Sequence, residues 1–240
     1  MDVKTVRTTV REDGIGVIIL NRPEKRNALS IRMRQEISAC LHRWQSDDGV
    51  GAVIITGEGQ AFCAGFDLEE FREPDLFYPI LESSHTYHRT LWNFPKPVIA
   101  AVNGAAAGGG FDLATLCDIR MCADTAFFSH PEVKFGAPPL FTPLRWIIGD
   151  GLARDLCLTG RRIDAQEAHR IGLVSSVNEV SLLRERAIQL AECILEAPPD
   201  TLRFVKGVFK ESSGKGFEES FLHEHDRAFR EILFRKMVPE

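Results

Sequence analysis

Apolar residues along this chain come in two rhythms, and the alternation between them sets the expected architecture. Short unbroken runs, Gly16-Val17-Ile18-Ile19-Leu20, Ala52-Val53-Ile54-Ile55 and Pro97-Val98-Ile99-Ala100-Ala101-Val102, have the length and β-branched content of buried strands. Between the first two lies Ser30 to Asp47, where Ile31, Ile37, Leu41 and Trp44 recur near helical spacing and Ser30 is placed to cap the helix. The Arg32, Arg34 and Arg43 of that helix are offset by Glu36, Asp47 and Asp48, which reads as a solvated face. The polar stretch Phe71 to Asp75 precedes a second helix, expected to carry Phe77, Ile80, Leu81, His88 and Leu91 along one face. A histidine on such a face is ordinarily a hydrogen-bonded core residue. A further strand, Asp118 to Cys122, follows. Strands alternating with helices imply crossover connections and parallel pairing, although no internal sequence repeat is visible.

Two of the strand runs lead into glycine-bearing turns. These are Ala61-Phe62-Cys63-Ala64-Gly65-Phe66-Asp67-Leu68 and Asn103-Gly104-Ala105-Ala106-Ala107-Gly108-Gly109-Gly110-Phe111-Asp112. Each offers bare backbone N–H groups at a strand's end, and two such donors can converge on one oxygen. That arrangement stabilises negative charge developing on a carbonyl oxygen. The triple glycine opens an expected helix, Gly110 to Leu116, whose N-terminal dipole reinforces the effect. Asp112 falls about one helical turn beyond Gly109, and a second acid follows in His130-Pro131-Glu132.

Beyond Glu132, the prolines at 138, 139 and 143 preclude regular helix across Gly136 to Pro143. Asp164 and Glu167 have the spacing of a capping box, and Gly172 suits the position just past a short helix. From Ser181 three helical segments are expected, separated by Ala197-Pro198-Pro199 and by Ser212-Ser213-Gly214-Lys215-Gly216.

Composition narrows the function classes. With 240 residues, 44% hydrophobic and 26% charged, the chain is long enough to bury a full core. A net charge of −5 argues against a nucleic-acid partner. No apolar stretch approaches the length of a membrane helix, and Met1-Asp2-Val3-Lys4-Thr5 carries neither a signal core nor a presequence, so the expected location is cytoplasmic. Six scattered cysteines read as reduced, mostly buried thiols. The spacings His85-x-x-His88 and His223-x-His225 lack the partners a metal site needs. Arg22, Lys25 and Arg26 form a local basic cluster, either an anion contact or an ordinary surface loop.

The segment Asn21-Arg22-Pro23-Glu24-Lys25-Arg26-Asn27-Ala28-Leu29, the two glycine turns and His130-Pro131-Glu132 together resemble, in order and spacing from about Gly14 to Val177, the signatures of the enoyl-CoA hydratase/isomerase (crotonase) superfamily. The resemblance implies an α/β fold, a spiral of repeated ββα units over residues 1–180 with a C-terminal helical region over 181–240. It also implies a homotrimer or dimer of trimers, and an acyl-CoA thioester as substrate. Carried onto this chain, it makes the amides of Phe66 and Gly109 the oxyanion donors and Asp112 and Glu132 the paired acids of a hydratase. Arg26, Ala28, Ala64, Gly65, Phe66, Asp67, Leu68 and Gly109 become the substrate contacts. No metal or redox cofactor is implied, coenzyme A being part of the substrate.

The chain departs from the hydratase pattern at two places. Asp112 is one methylene shorter than the usual glutamate, and Ala137-Pro138-Pro139-Leu140-Phe141 replaces a glycine pair entering a helix. That segment resembles the mitochondrial-type enoyl-CoA isomerases, which use a single acid at the place of Glu132. Reversible hydration of a 2-enoyl-CoA is the leading expectation, with isomerisation by Glu132 alone as the alternative and a non-catalytic acyl-CoA-binding relative as a third reading. The dehalogenase and hydroxyacyl-CoA hydrolase branches need an acid shortly after Glu132, and Val133 through Ile148 contains none.

Overall fold

The computed structural model describes residues 4–211, 219, 225 and 227–233. Its strands belong to two sheets, and the chain steps between them. The first is built from β1 (Val6–Val10), β2 (Ile15–Leu20), β3 (Ala52–Gly57), β5 (Val98–Val102), β7 (Ile119–Ala123) and β10 (Val177–Asn178), in that order. Only the β1–β2 pair is antiparallel; every other neighbour is parallel. The second sheet holds β4 (Ala61–Cys63), β6 (Ala105–Ala107), β8 (Phe127–Ser129) and β9 (Ile163–Asp164).

Helices complete a repeat that the residue pattern does not display. Strand β3, strand β4 and helix α2 (Phe77–Asn93) form one unit; β5, β6 and α3 (Gly109–Leu116) the next; β7, β8 and α4 (Phe141–Thr159) a third. In each unit the long strand enters the first sheet and the three-residue strand enters the second. The glycine segments read as turns therefore contain β4 and β6, too short to be recognised by alternation.

Local chemistry explains two of the helix starts. Helix α1 (Ile31–Gln45) starts where the Ser30 side chain accepts the Met33 amide, as its sequence predicts. Helix α5 (Ala165–Arg170) starts where Asp164 accepts the Glu167 amide at 2.8 Å, and Gly172 follows with φ +77°. Two helices differ from expectation. In α2 the buried residues are Ile80, Ser83, Tyr87 and Leu91, while Phe77 and Leu81 are exposed, so the inward stripe is rotated toward Tyr87. In α4 the helix begins at Phe141, with Pro143 in its first turn, where a missing N–H costs nothing. A positive φ at Gly149 then kinks it.

The C-terminal segment packs on this frame. Helix α6 (Leu183–Leu195) lies against β2, β3, β5 and β7. Helix α7 (Pro199–Glu211) is pinned by Lys206, whose Nζ donates to the Lys96 carbonyl at 2.6 Å and to Asp118 at 2.7 Å. Of the third expected segment, Ala228–Leu233 forms a short π-helical turn, and its separator Ser212 to Gly216 lies outside the described residues, as does His223. Among the described residues no helix is long and apolar enough to cross a membrane.

Candidate active site

The first two sequence signatures are stitched together by backbone hydrogen bonds. Leu29 and Phe66 form a parallel bridge in which the Leu29 amide donates to Gly65 O at 2.7 Å and the Asp67 amide donates to Leu29 O at 3.3 Å. In such a bridge the Phe66 amide faces the other way. Among the described residues neither the Phe66 nor the Gly109 amide donates a hydrogen bond within the chain. The two segments touch. A methyl group on Gly65 would stand 3.2 Å from the Gly109 nitrogen, and one on Gly109 would strike the Phe66 ring at 2.7 Å. Glycine is required at both places by close approach, and at Gly65 also by its φ of +96°.

Signature asparagines hold these turns. Asn27, fully buried and at φ +56°, donates to Glu58 O at 2.9 Å and Ala61 O at 2.8 Å and accepts the Arg22 amide at 2.9 Å. Asn103 accepts the Gly57 amide and donates to Gly59 O, both at 2.9 Å. Their chemistry is that of backbone surrogates, satisfying peptide groups where strands cross between sheets.

Arg34 corrects the solvated-face reading of α1. It is fully buried, donates to Leu29 O and to Ser83 Oγ, lies 3.6 Å from Glu70, and stacks 4.5 Å from the centroid of the Phe66 ring. It therefore props the Leu29–Phe66 bridge from below. Phe66 is further flanked by His88, stacked at 6.4 Å, and by Phe71 at 6.1 Å. His88 itself bonds through Nδ1 to the Ser84 carbonyl at 2.7 Å, and burial pushes its pKa down.

Of the expected substrate contacts, Asp67 is nearly buried and paired with Arg22 at 2.8 Å, and Ala28 is buried. Ala64 is half-buried, whereas Arg26 and Leu68 are exposed. Within the basic cluster Arg22 is thus committed to Asp67 and Lys25 to Glu69, while no ion pair engages Arg26 among the described residues.

The acids gather beside the same glycines. All eight residues of α3 are buried, so Asp112 sits in its first turn nearly withdrawn from solvent. Glu132 approaches from the turn after β8, close enough that a methyl on Gly108 would stand 3.1 Å from its Oε2. Between the acids lies His130, fully buried, with Nδ1 2.9 Å from Glu132 Oε1 and Nε2 3.9 Å from Asp112 Oδ1. Four buried side-chain polar atoms among the described residues lack a hydrogen-bond partner, and three of them are Asp112 Oδ1, His130 Nε2 and Glu132 Oε2. Such atoms are costly to bury, and their concentration makes this cluster the candidate site. A cleft of about 420 Å³ beside Trp92, Trp146 and Lys206 contains none of these residues.

Burial first, then the Glu132 charge, hold the Asp112 carboxyl well above the usual carboxylate range, opposed by the Leu140 amide. A folded-state pKa above the unfolded one means the native protein binds the extra proton, so this group costs stability as pH rises from about 4. Asp112→Asn is therefore expected to unfold at higher denaturant than the parent at pH 7. The gap should close as the pH approaches about 4. A parent protein more stable than the variant at neutral pH would contradict the assignment. Cys63 is fully buried, and burial pushes its thiol up to about 12, which disfavours the nucleophilic thiolate.

Sequence reasoning picked out Asp112, Glu132, Phe66 and Gly109, and the structure brings their segments into one locus. It missed His130 and Arg34. His130 stood within the Pro-Glu signature as an unremarked neighbour; Arg34 has the composition of a surface residue, and only its i+4 relation to the Ser30 cap hinted that it faces the Leu29 turn.

Comparison with known proteins places this arrangement. Residues 10–234 match the family described as Enoyl-CoA hydratase/isomerase. A hydroxycinnamoyl-CoA hydratase-lyase of Pseudomonas fluorescens is 38% identical over 217 residues, covering 86% of this chain and 78% of that protein. A putative enoyl-CoA hydratase of Thermus thermophilus is 36% identical over 220 residues, covering 88% and 87%. Among solved structures, an enoyl-CoA hydratase from Bacillus anthracis superposes with a TM-score of 0.91 at 32% identity, over 96% of this chain and 91% of that one.

Proposed function

We propose that this chain, which belongs to the enoyl-CoA hydratase/isomerase family, adds water reversibly across the C2–C3 double bond of a 2-enoyl-CoA. The observation that carries the reading is the cluster of the buried Asp112 carboxyl and the half-buried Glu132 carboxyl set against the Phe66 and Gly109 turns. In this reading the thioester oxygen accepts from the amides of Phe66 and Gly109, which stabilise the enolate as it forms. Water attacks C3, one carboxylate takes its proton, and the other carboxyl, carrying the proton the pair shares, delivers it to C2. Addition and loss of water follow the same path in opposite directions.

Two acids suit hydration because two protons move. Isomerisation, which lifts a proton from C2 and returns it at C4, needs only Glu132 and is the second reading, favoured by the Ala137-to-Phe141 segment. Arg26 and the backbone from Ala64 to Leu68 are proposed to meet the coenzyme A portion, and the active assembly is proposed to be a trimer or dimer of trimers. Incubating the purified protein with 2-enoyl-, 3-enoyl- and cyclic dienoyl-CoA thioesters separates the readings by product mass. Gain of one water on the 2-enoyl substrate is expected. A 3-enoyl substrate converted without mass change, with no hydration of any 2-enoyl, would overturn hydration in favour of isomerisation.

A further inference from the structure

We propose that His130 is a positioning residue for the acid pair, its Nδ1–H holding Oε1 of Glu132 so that Oε2 is the oxygen presented for proton transfer. The inference rests on the reading of Asp112 and Glu132 as the reacting acids. His130 lies at the end of β8, fully buried, with its ring stacked on Phe111 of α3 at 4.6 Å. That packing fixes the plane of the imidazole. Nδ1 then meets Glu132 Oε1 at 2.9 Å, a hydrogen-bond distance, while Nε2 faces Asp112 Oδ1 at 3.9 Å, beyond one.

The two carboxylate oxygens of Glu132 are thereby made unequal. Oε1 is engaged by the histidine, whereas Oε2 has no partner among the described residues and points to Gly108, one residue before the Gly109 amide. A carboxyl group free to rotate would offer either oxygen; one tethered at Oε1 offers Oε2 in a fixed direction. An imidazole that donates from Nδ1 keeps a lone pair on Nε2, and that lone pair suits a neighbour holding a proton, which burial favours at Asp112. One ring thus orients one acid and turns its second nitrogen toward the other. A bland alternative, a histidine buried only to fill space on Phe111, predicts that any apolar residue of similar size would serve equally well.

Three measurements separate these. First, long-range ¹H–¹⁵N correlation of the imidazole in the ligand-free protein should show the Nδ1–H tautomer for His130; an Nε2–H tautomer would overturn the proposal. Second, His130→Leu should lower kcat by about 10- to 100-fold with KM changed less than about 3-fold, because the acid is mispositioned while binding persists. Third, His130→Asn, whose amide N–H₂ can occupy the Nδ1 position, should recover most of that loss. Retention of kcat within about 3-fold in His130→Leu, alongside an inactive Glu132→Gln, would sink the positioning role alone. Full activity in Glu132→Gln would instead sink the acid-pair reading beneath it. If His130→Leu does not fold, the tautomer in the unsubstituted protein decides.

Discussion

Glu132→Gln is expected to lose turnover of 2-enoyl- and 3-enoyl-CoA thioesters alike, with kcat lowered by about 1,000-fold, within the span associated with removing a general acid or base. Glutamine preserves the shape of the side chain, and its carbonyl can still accept from His130 Nδ1, so the loss isolates proton transfer from packing. KM should change little, since the proposed coenzyme A contacts on the Arg26 and Ala64-to-Leu68 segments do not use this carboxyl. Initial rates over a range of substrate concentrations, with products identified by mass, give the answer. A variant retaining more than about a tenth of the parent kcat would remove Glu132 from the chemistry.

Asp112→Asn is expected to divide the two reactions. Hydration of a 2-enoyl-CoA should fall by about 100-fold or more, because the pair can no longer move two protons, while isomerisation of a 3-enoyl-CoA should persist within about 10-fold. Asparagine is close to isosteric, and it replaces a group whose ionised form is disfavoured by burial and by the neighbouring Glu132 charge. The variant therefore combines lost hydration with the gain in neutral-pH stability argued above, a pairing that simple misfolding does not produce. Undiminished hydration would show that one acid suffices.

How much of this was legible in the residues depended on the distance over which each feature acts. Long apolar runs announced β2, β3 and β5, and the Ser30 and Asp164 caps announced helix starts, because these are properties of a few consecutive residues. The second sheet was not visible, since β4, β6 and β8 are three residues each and are defined by pairing across the spiral. Burial of Arg34 escaped for the same reason. Its partners Leu29 O, Ser83 and Glu70 lie up to 49 positions away, and a charge count along one helix cannot see them.

The candidate site shows the same division. Gly65, Gly108 and Gly109 stood out as residues without side chains at strand ends, and Asp112 and Glu132 as acids near them. What separates a signature from a site is their convergence, and that depends on β6 and β8 lying side by side so that α3 and the Glu132 turn emerge together. His130 became significant only once both acids were placed on either side of its ring.

The proposed chemistry of this cluster is addition of water to an activated double bond. Its most direct test is the reaction of a 2-enoyl-CoA with the purified protein in ¹⁸O-labelled water, followed by mass spectrometry of the thioester. A 3-hydroxyacyl product carrying one labelled oxygen at C3 is expected; recovery of the substrate unchanged, or of an isomer without added oxygen, would refute hydration.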